Sequence, residues 1–409
     1  MSYSYRDKSP QRSNARRSQG APFKRSYAGS GRNSNNYKYA NQGAYIDVSR
    51  FVNKAIITEE VESFVPAHSF TDFKLSPLLN KNIEDKGYVD PTPIQDQSIP
   101  HIIRGEDIVG IANTGTGKTA AFLIPLINKI ILDPREKALI VVPTRELANQ
   151  IDEELRAFAK GSNLFSVLVI GGAGIGKQIR ELRQTHHFVI GTPGRLKDLI
   201  EQKVLDLSLF KTVVLDEADR MLDMGFINDM RFMMAKMPSP RHTLFFSATL
   251  SSEIEKLISE FLVEPARISV KTGDTAKNVH QDIIRVPGGK MKIDVLDDLL
   301  RNPEFSKVLV FGRTKHGVEK LSDELGKRGF KSEAIHGNKN QRERQRALDL
   351  FKKDHAQVLI ATDVAARGLD ISSVTHVINF DLPATYDDYI HRIGRTGRAG
   401  QLGKALTFV

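Results

Sequence analysis

Short apolar runs of strand length recur along this chain from about residue 70. Each is followed by Gly, Pro, Thr or Asp and then by an amphipathic stretch. The runs are Asp107–Ala112, Ala138–Val142, Phe165–Ile170, His187–Ile190, Thr212–Leu215 and His242–Ser247, and later Lys307–Phe311, Lys331–Ile335, Gln357–Ala361, His376–Phe380 and Gly403–Val409. Strands buried on both faces read as continuous apolar runs, and the helices between them supply the long crossovers that parallel strands need. The rhythm therefore predicts an α/β fold with parallel sheets. Residues 271–280 (KTGDTAKNVH) are polar and aperiodic and split the rhythm in two. A length of 409 residues suits two such domains: residues 70–270 and 281–409, with 271–280 as linker.

Residues 1–44 are rich in Ser, Arg, Asn, Gly and Tyr and nearly lack aliphatic side chains. Such a segment cannot bury enough apolar surface to offset its ordering entropy, and a disordered basic tail is expected. Residues 45–69 form an arm whose apolar residues Ile46, Val48, Phe51, Val52, Ile56 and Ile57 suit docking on the first domain. The formal charge of +10 is unevenly spread: +8 in residues 1–44, −4 in 45–270 and +6 in 271–409. Net charge alone would thus point a polyanion at the tail and the last third, not at the middle. The chain contains no cysteine, which excludes disulfides and Cys-ligated zinc or iron–sulfur sites. It has no apolar stretch long enough for a membrane span, and its first 30 residues lack the apolar core of a secretory signal.

The segment Ala112-Asn113-Thr114-Gly115-Thr116-Gly117-Lys118-Thr119 follows the run DIVGI and precedes the helical stretch AAFLIPLINKII. Strand, glycine loop and helix in that order are the context of a P-loop. Its glycines let backbone N–H groups face phosphate oxygens at the positive end of a helix. Lys118 would reach the β/γ-phosphates, and Thr119 would ligate Mg²⁺. Ala112 stands where the simple pattern has its first glycine. About 100 residues on, Val213-Val-Leu-Asp216-Glu217-Ala-Asp219 is an apolar strand that ends in carboxylates. Asp216 would hold Mg²⁺, directly or through water, and Glu217 would orient or deprotonate the attacking water.

Residues 216–219 read D-E-A-D, and a series of further motifs surrounds them in order. Over residues 70–409 the chain resembles the DEAD-box ATP-dependent RNA helicases, and the resemblance implies two tandem RecA-like domains. Gly87-Tyr88-Val-Asp-Pro91-Thr92-Pro93-Ile94-Gln95 matches the family's Q motif. Phe70, 17 residues earlier, stands where the family places an aromatic that stacks on adenine. An amide such as Gln95 offers the donor and acceptor that an adenine edge requires. Pro143-Thr144-Arg145-Glu146-Leu-Ala148, Gly171-Gly172 and Thr192-Pro193-Gly194-Arg195 match three motifs that contact the RNA backbone in the family. Each follows a strand run, which places all three on one sheet edge; Gly, Thr hydroxyls, helix N-termini and Arg suit sugar–phosphate oxygens. Ser247-Ala248-Thr249 matches the motif that couples hydrolysis to strand opening, with Asp219 and His391 in the same coupling set.

In the second domain, Val308-Leu-Val-Phe311-Gly-Arg-Thr314 resembles motif IV. His336-Gly337 with Gln341 and Arg344 resembles the QxxR segment, with Asn338 where the family usually has Asp. Ala361 through Asp370 match motif V: Thr362 and Arg367 would face RNA, Gly368 and Asp370 the nucleotide. His391-Arg392-Ile-Gly394-Arg395-Thr396-Gly397-Arg398 matches motif VI, in which Arg395 and Arg398 are the arginine-finger candidates. The chain stops just after GKALTFV, where family members usually continue, so a short or truncated form is expected.

The resemblance implies an enzyme that hydrolyses ATP, with Mg²⁺, in a cleft between its domains. Closure would bend single-stranded RNA, unwind short duplexes or remodel RNA–protein complexes. The implied setting is a cytoplasmic monomer that meets RNA through its backbone, with proteins of RNA–protein complexes as further partners and no membrane. Rival readings are a P-loop DNA translocase, a nucleotide kinase, or a clamp that ATP merely locks onto RNA. The Q motif and the DEAD letters oppose the first, the second phosphate-facing domain the second, and the intact catalytic letters the third.

Deleting residues 1–44 should weaken RNA affinity and flatten its salt dependence while leaving kcat near intact. Binding isotherms at several ionic strengths check this; an unchanged salt slope would mean that the tail's charges stay off the RNA.

Overall fold

All seven strands of the first sheet, in this computed structural model, run parallel. They are β1 (Ile108–Ala112), β2 (Ala138–Val141), β3 (Ser166–Val169), β4 (Phe188–Gly191), β5 (Thr212–Leu215), β6 (His242–Ser247) and β7 (Ala266–Val270), in the spatial order β3-β4-β2-β5-β6-β1-β7. A second parallel sheet holds β8 (Val279–Ile284), β9 (Val308–Phe311), β10 (Ser332–Ile335), β11 (Val358–Ala361), β12 (His376–Asn379) and β13 (Gly403–Phe408), in the order β10-β11-β9-β12-β13-β8. Both sheets belong to one compact unit. The structure describes residues 47–53, 64–113, 115–270, 279–366, 371, 373–397 and 402–409. The tail, most of the 271–280 linker, and the site candidates Thr114, Arg367, Gly368, Asp370 and Arg398 lie outside the described residues.

Helices cover both faces of each sheet because successive strand residues point to opposite sides. In the first lobe, Ile108, Ile140, Val214 and Phe246 join one core with Phe122, Ile151 and Phe158. Val109, Leu139, Val213 and Phe245 join the other with Leu196, Met221, Met230 and Ile258. The second lobe repeats this: Leu309, Leu359 and Val377 face one core, and Val308, Val310 and Ile378 the other. Among the described residues, no helix is long and apolar enough to cross a membrane.

The apolar runs read from the sequence are all strands. Two strands were not foreseen, β7 and β8, and each lies at a sheet edge. Their sequences, ARISV and VHQDII, mix exposed and buried positions, as an edge strand permits, and so lack the continuous apolar signal. β8 begins at Val279, so the last two residues of the expected linker are strand.

The arm corrects a second expectation. Phe51 is buried in the second lobe's core, not the first's, and Asn53 bridges antiparallel to Gln281 of β8. On the first lobe, Ala67 and His68 donate their backbone N–H groups to the Asp96 carboxylate, each at 3.0 Å. The apolar character of the arm was legible; which of two similar lobes would receive it was not.

Candidate active site and cleft

The order of strands sorts the motifs. With every strand parallel, the loops that follow them share one edge, the usual ligand edge of an open α/β sheet. The loops after β1, β5 and β6 stand at one end of that edge. Those after β2, β4 and β3 stand at the other.

At the first end, Gly117 caps the helix Lys118–Leu132 with φ of 96°, a left-handed conformation that glycine adopts without strain. A Cβ there would also collide with Gln95 Nε2. Gln95 is fully buried; its Oε1 accepts from the Thr92 N–H at 3.0 Å and its Nε2 donates to the Gly117 carbonyl at 3.1 Å. Its amide thus ties the Q segment to the P-loop, leaving one N–H and one lone pair for a base edge. Phe70 is buried too, edge-on to Phe73 and Tyr88, and helps build the core beneath this segment. Lys118 Nζ donates to the Ala112 carbonyl at 2.8 Å, and the Thr116 hydroxyl to the Asn113 carbonyl at 2.8 Å. Gly115 also has positive φ, and Thr119 is half-buried in the first helical turn.

Asp216 and Glu217 are both buried where β5 ends. Glu217 has φ of 53°, rare for a residue with a side chain and a mark of local strain. Burial pushes both carboxyls above their ordinary pKa. The charge of Asp216 raises Glu217 further, while Lys118 and, from the second lobe, Arg395 pull it back down. Asp219 accepts from the Ala248 N–H at 3.1 Å, the Thr249 N–H at 2.9 Å and the Thr249 hydroxyl at 3.0 Å. The Ser247 hydroxyl donates to the Thr249 carbonyl at 2.8 Å. The loops after β5 and β6 are therefore pinned as one piece.

Motif VI stands on the helix Tyr386–Ile393 and the turn after it. Arg392 grips both oxygens of Asp363 at 2.6 and 2.8 Å and also donates to Asn379 and to the Asp381 carbonyl. His391 is held below its usual pKa by burial and then by the charge of Arg220, a first-lobe residue. Arg395 is buried.

At the other end of the edge a cleft of about 390 Å³ is lined by Pro143, Thr144, Arg145, Gly171, Thr192, Gly194 and Arg195 from the first lobe and by Arg344 from the second. The glycine pair makes room for Arg145: a Cβ on Gly172, whose φ is 73°, would overlap its guanidinium. Burial, and then Arg344, push the Arg145 pKa down. Arg195 donates to the Ala173 carbonyl and the Gln178 side chain, and Thr144 accepts from the Leu147 N–H. Thr362 is buried at the end of β11, and Pro193 starts the helix Pro193–Glu201. Gln341 starts the helix Gln341–Lys352 and has both amide atoms buried with no hydrogen-bond partner.

Two cleft residues lie outside every motif read from the sequence, Met224 and Phe226, and nothing local marked them. Glu146 and Val364 belong to motifs read there, but no role was given to either. Glu146 meets Arg344 across the lobes at 2.8 Å.

A glycine loop between strand and helix, a lysine over it and a buried acid pair two strands away define a P-loop nucleoside-triphosphatase, here one whose acids also feel a second lobe. A family model described as DEAD/DEAH box helicase matches residues 92–257, and one described as helicase conserved C-terminal domain matches residues 291–400. The DEAD-box ATP-dependent RNA helicase CshA of Bacillus licheniformis is 46% identical over 345 residues, 83% of this chain and 70% of that protein. The same-named protein of Bacillus subtilis is 46% identical over 345 residues, 83% of this chain and 69% of that one. Among solved structures, S. cerevisiae Dbp5 bound to RNA and ADP BeF3 is 30% identical, with a TM-score of 0.73 over 84% of this chain and 90% of that one. Mss116p, with NTE and C-tail deleted and bound to ssRNA and AMP-PNP, is 29% identical, with a TM-score of 0.74 over 83% of this chain and 73% of that one. The chain belongs to the DEAD-box ATP-dependent RNA helicases, enzymes that hydrolyse ATP.

Gln95→Leu keeps the volume but removes both hydrogen bonds of the amide, leaving the Thr92 N–H and the Gly117 carbonyl without their partner. It should lower stability by about 1–3 kcal/mol, read by denaturant unfolding; an unchanged midpoint would show that the P-loop does not lean on this amide.

Proposed function

We propose that the chain binds ATP and Mg²⁺ between its lobes, hydrolyses ATP in response to RNA, and uses closure to bend single-stranded RNA, open short duplexes or remodel RNA–protein complexes. The observation that carries this reading is the pairing of opposite charges across the cleft: Arg395 with the acid pair at one end, Arg344 with Glu146 at the other. Charges from both lobes converge at both ends, so hydrolysis and RNA binding would each favour the same closed state and each promote the other.

The residues fit Mg²⁺. Asp216 and Thr119 offer hard oxygen donors, as Mg²⁺ prefers. The ion would be held by one carboxylate, one hydroxyl, the nucleotide and water. When bound, Mg²⁺ would offset charge on the β/γ-phosphate oxygens.

The chain's own groups do the rest. Lys118, now on the Ala112 carbonyl, would turn to the β/γ-phosphates. Glu217 has a raised pKa and a fixed, strained backbone; it would orient the attacking water and take its proton. Arg395, and by resemblance Arg398, would meet charge that develops on the transferred phosphoryl group. The backbone of 112–119 would cradle phosphates, with Gly368 and Asp370 on the nucleotide from the other lobe. Gln95 and Phe70 would meet the adenine.

Arg145, Arg195, Thr144, Thr192, Thr362 and Gln341, with Arg367 by resemblance, would hold the RNA backbone. The unpartnered Gln341 amide suits a ribose hydroxyl or a phosphate. The bonds from Asp219 to residues 248 and 249 would pass changes at the acid pair to the next loop, with His391 opposite. The same reading makes the protein a cytoplasmic monomer with proteins of RNA–protein complexes as further partners.

Glu217→Gln should still bind ATP and RNA but release phosphate at least about 10²-fold more slowly, whereas Lys118→Ala should lose nucleotide binding. Filter binding beside a phosphate-release assay separates the two; wild-type turnover by Glu217→Gln would refute its role.

A further inference from the structure

The helix Tyr386–Ile393 leads directly to Arg395, so its seating sets where that guanidinium lies. Arg392 fixes it through the pair with Asp363. Its tyrosines, Tyr386 and Tyr389, are held by the short arm, residues 47–53, a segment with no role in the reading above. Phe51, 1% exposed, meets the Tyr389 ring edge-on with centroids 4.8 Å apart. The Arg50 guanidinium sits 3.6 Å from the centre of the Tyr386 ring. Tyr386 and Tyr389 lie against each other at 5.7 Å.

The arm is itself anchored. Asn53 N–H donates to the Gln281 carbonyl at 3.0 Å, and Gln281 N–H donates back to the Asn53 carbonyl at 2.8 Å. The Tyr389 hydroxyl, in turn, donates to the Gln281 side chain at 2.9 Å. Arm, edge strand β8 and helix thus form a closed ring of contacts. The Asp47 side chain accepts from the Ser49 N–H at 2.8 Å and starts the turn that presents Arg50 and Phe51.

We propose that Phe51 and Arg50 are positioning residues for ATP hydrolysis: they clamp the helix Tyr386–Ile393 from behind and thereby place Arg395 at the acid pair. A segment that precedes the first lobe in sequence thus completes the active half of the second. The proposal rests on the role given to Arg395 above. Neither residue is catalytic, since both contact the helix on its tyrosine side.

The test is steady-state, RNA-saturated ATPase of the full chain. Displacement of a catalytic group by about 1 Å can cost up to about 10²-fold, so Phe51→Ala should lower kcat roughly 5- to 20-fold, with KM for ATP within about twofold. Phe51→Leu, which refills the space, should recover most of the rate. Arg50→Gln changes an exposed side chain and keeps the test open should Phe51→Ala fail to fold; it should lower kcat about two- to threefold, and Arg50→Lys, which keeps a cation over the ring, should restore it. In an Arg395→Ala background, Phe51→Ala should have less than about a twofold further effect on kcat, because both act through one group.

Full multiplicative loss in that background would overturn the proposal. So would wild-type kcat for both Phe51→Ala and Arg50→Gln while Arg395→Ala is impaired. If Arg395→Ala itself turns over normally, the role of Arg395 fails, and the positioning proposal with it.

Discussion

Two buried carboxylates side by side, Asp216 and Glu217, set the terms for the rest of the molecule. Burial disfavours their ionised forms, and each charge disfavours the other. Such a pair is tolerable only where positive charge is brought to it. Lys118 supplies the larger part from the P-loop, and Arg395 adds to it from a separate lobe. The second source belongs to another lobe, so on the proposed reading the electrostatic state of the acid pair would change with closure. The Arg344–Glu146 pair repeats the device at the far end of the same edge.

The strand order makes that edge work as a unit. β5 carries the acids and lies beside β2, which carries Thr144 and Arg145, on one side and β6, which carries Ser247, on the other. The acids are therefore one strand from the cleft lined by Thr144 and Arg145 and one strand from β6, the P-loop strand's neighbour. Asp219 makes the second link explicit through its three hydrogen bonds to Ala248 and Thr249. On the proposed reading, the first lobe's net negative charge would not oppose RNA binding, because the cations at the cleft are local: Arg145 and Arg195 line it, with Arg344 opposite.

Much of this was legible in the sequence, for definite reasons. Central parallel strands are apolar on both faces, so runs such as THR-VAL-VAL-LEU at 212–215 announce themselves, and the loops that follow inherit a common edge. β7 and β8 were missed because edge strands mix polar and apolar positions. The docking of Phe51 was mistaken for the opposite lobe because an apolar side chain records that it will be buried, not against what. Gln95 also bonds Thr92 and Gly117; the bond to Gly117 joins residues 22 apart, which local pattern does not encode. The Arg344–Glu146 pair spans almost 200 residues and is beyond any spacing rule.

The central claim is that the site is complete only when the lobes meet. The cysteine-free sequence allows a direct measurement, since Lys160→Cys on the first lobe and Lys353→Cys on the second, both exposed, can carry a donor and an acceptor dye without competing thiols. Single-molecule energy transfer should show mixed lobe separations in the free protein and one closed population when RNA and a non-hydrolysable ATP analogue are present together, with smaller shifts for either alone. A single unchanged distance under all four conditions would contradict the account.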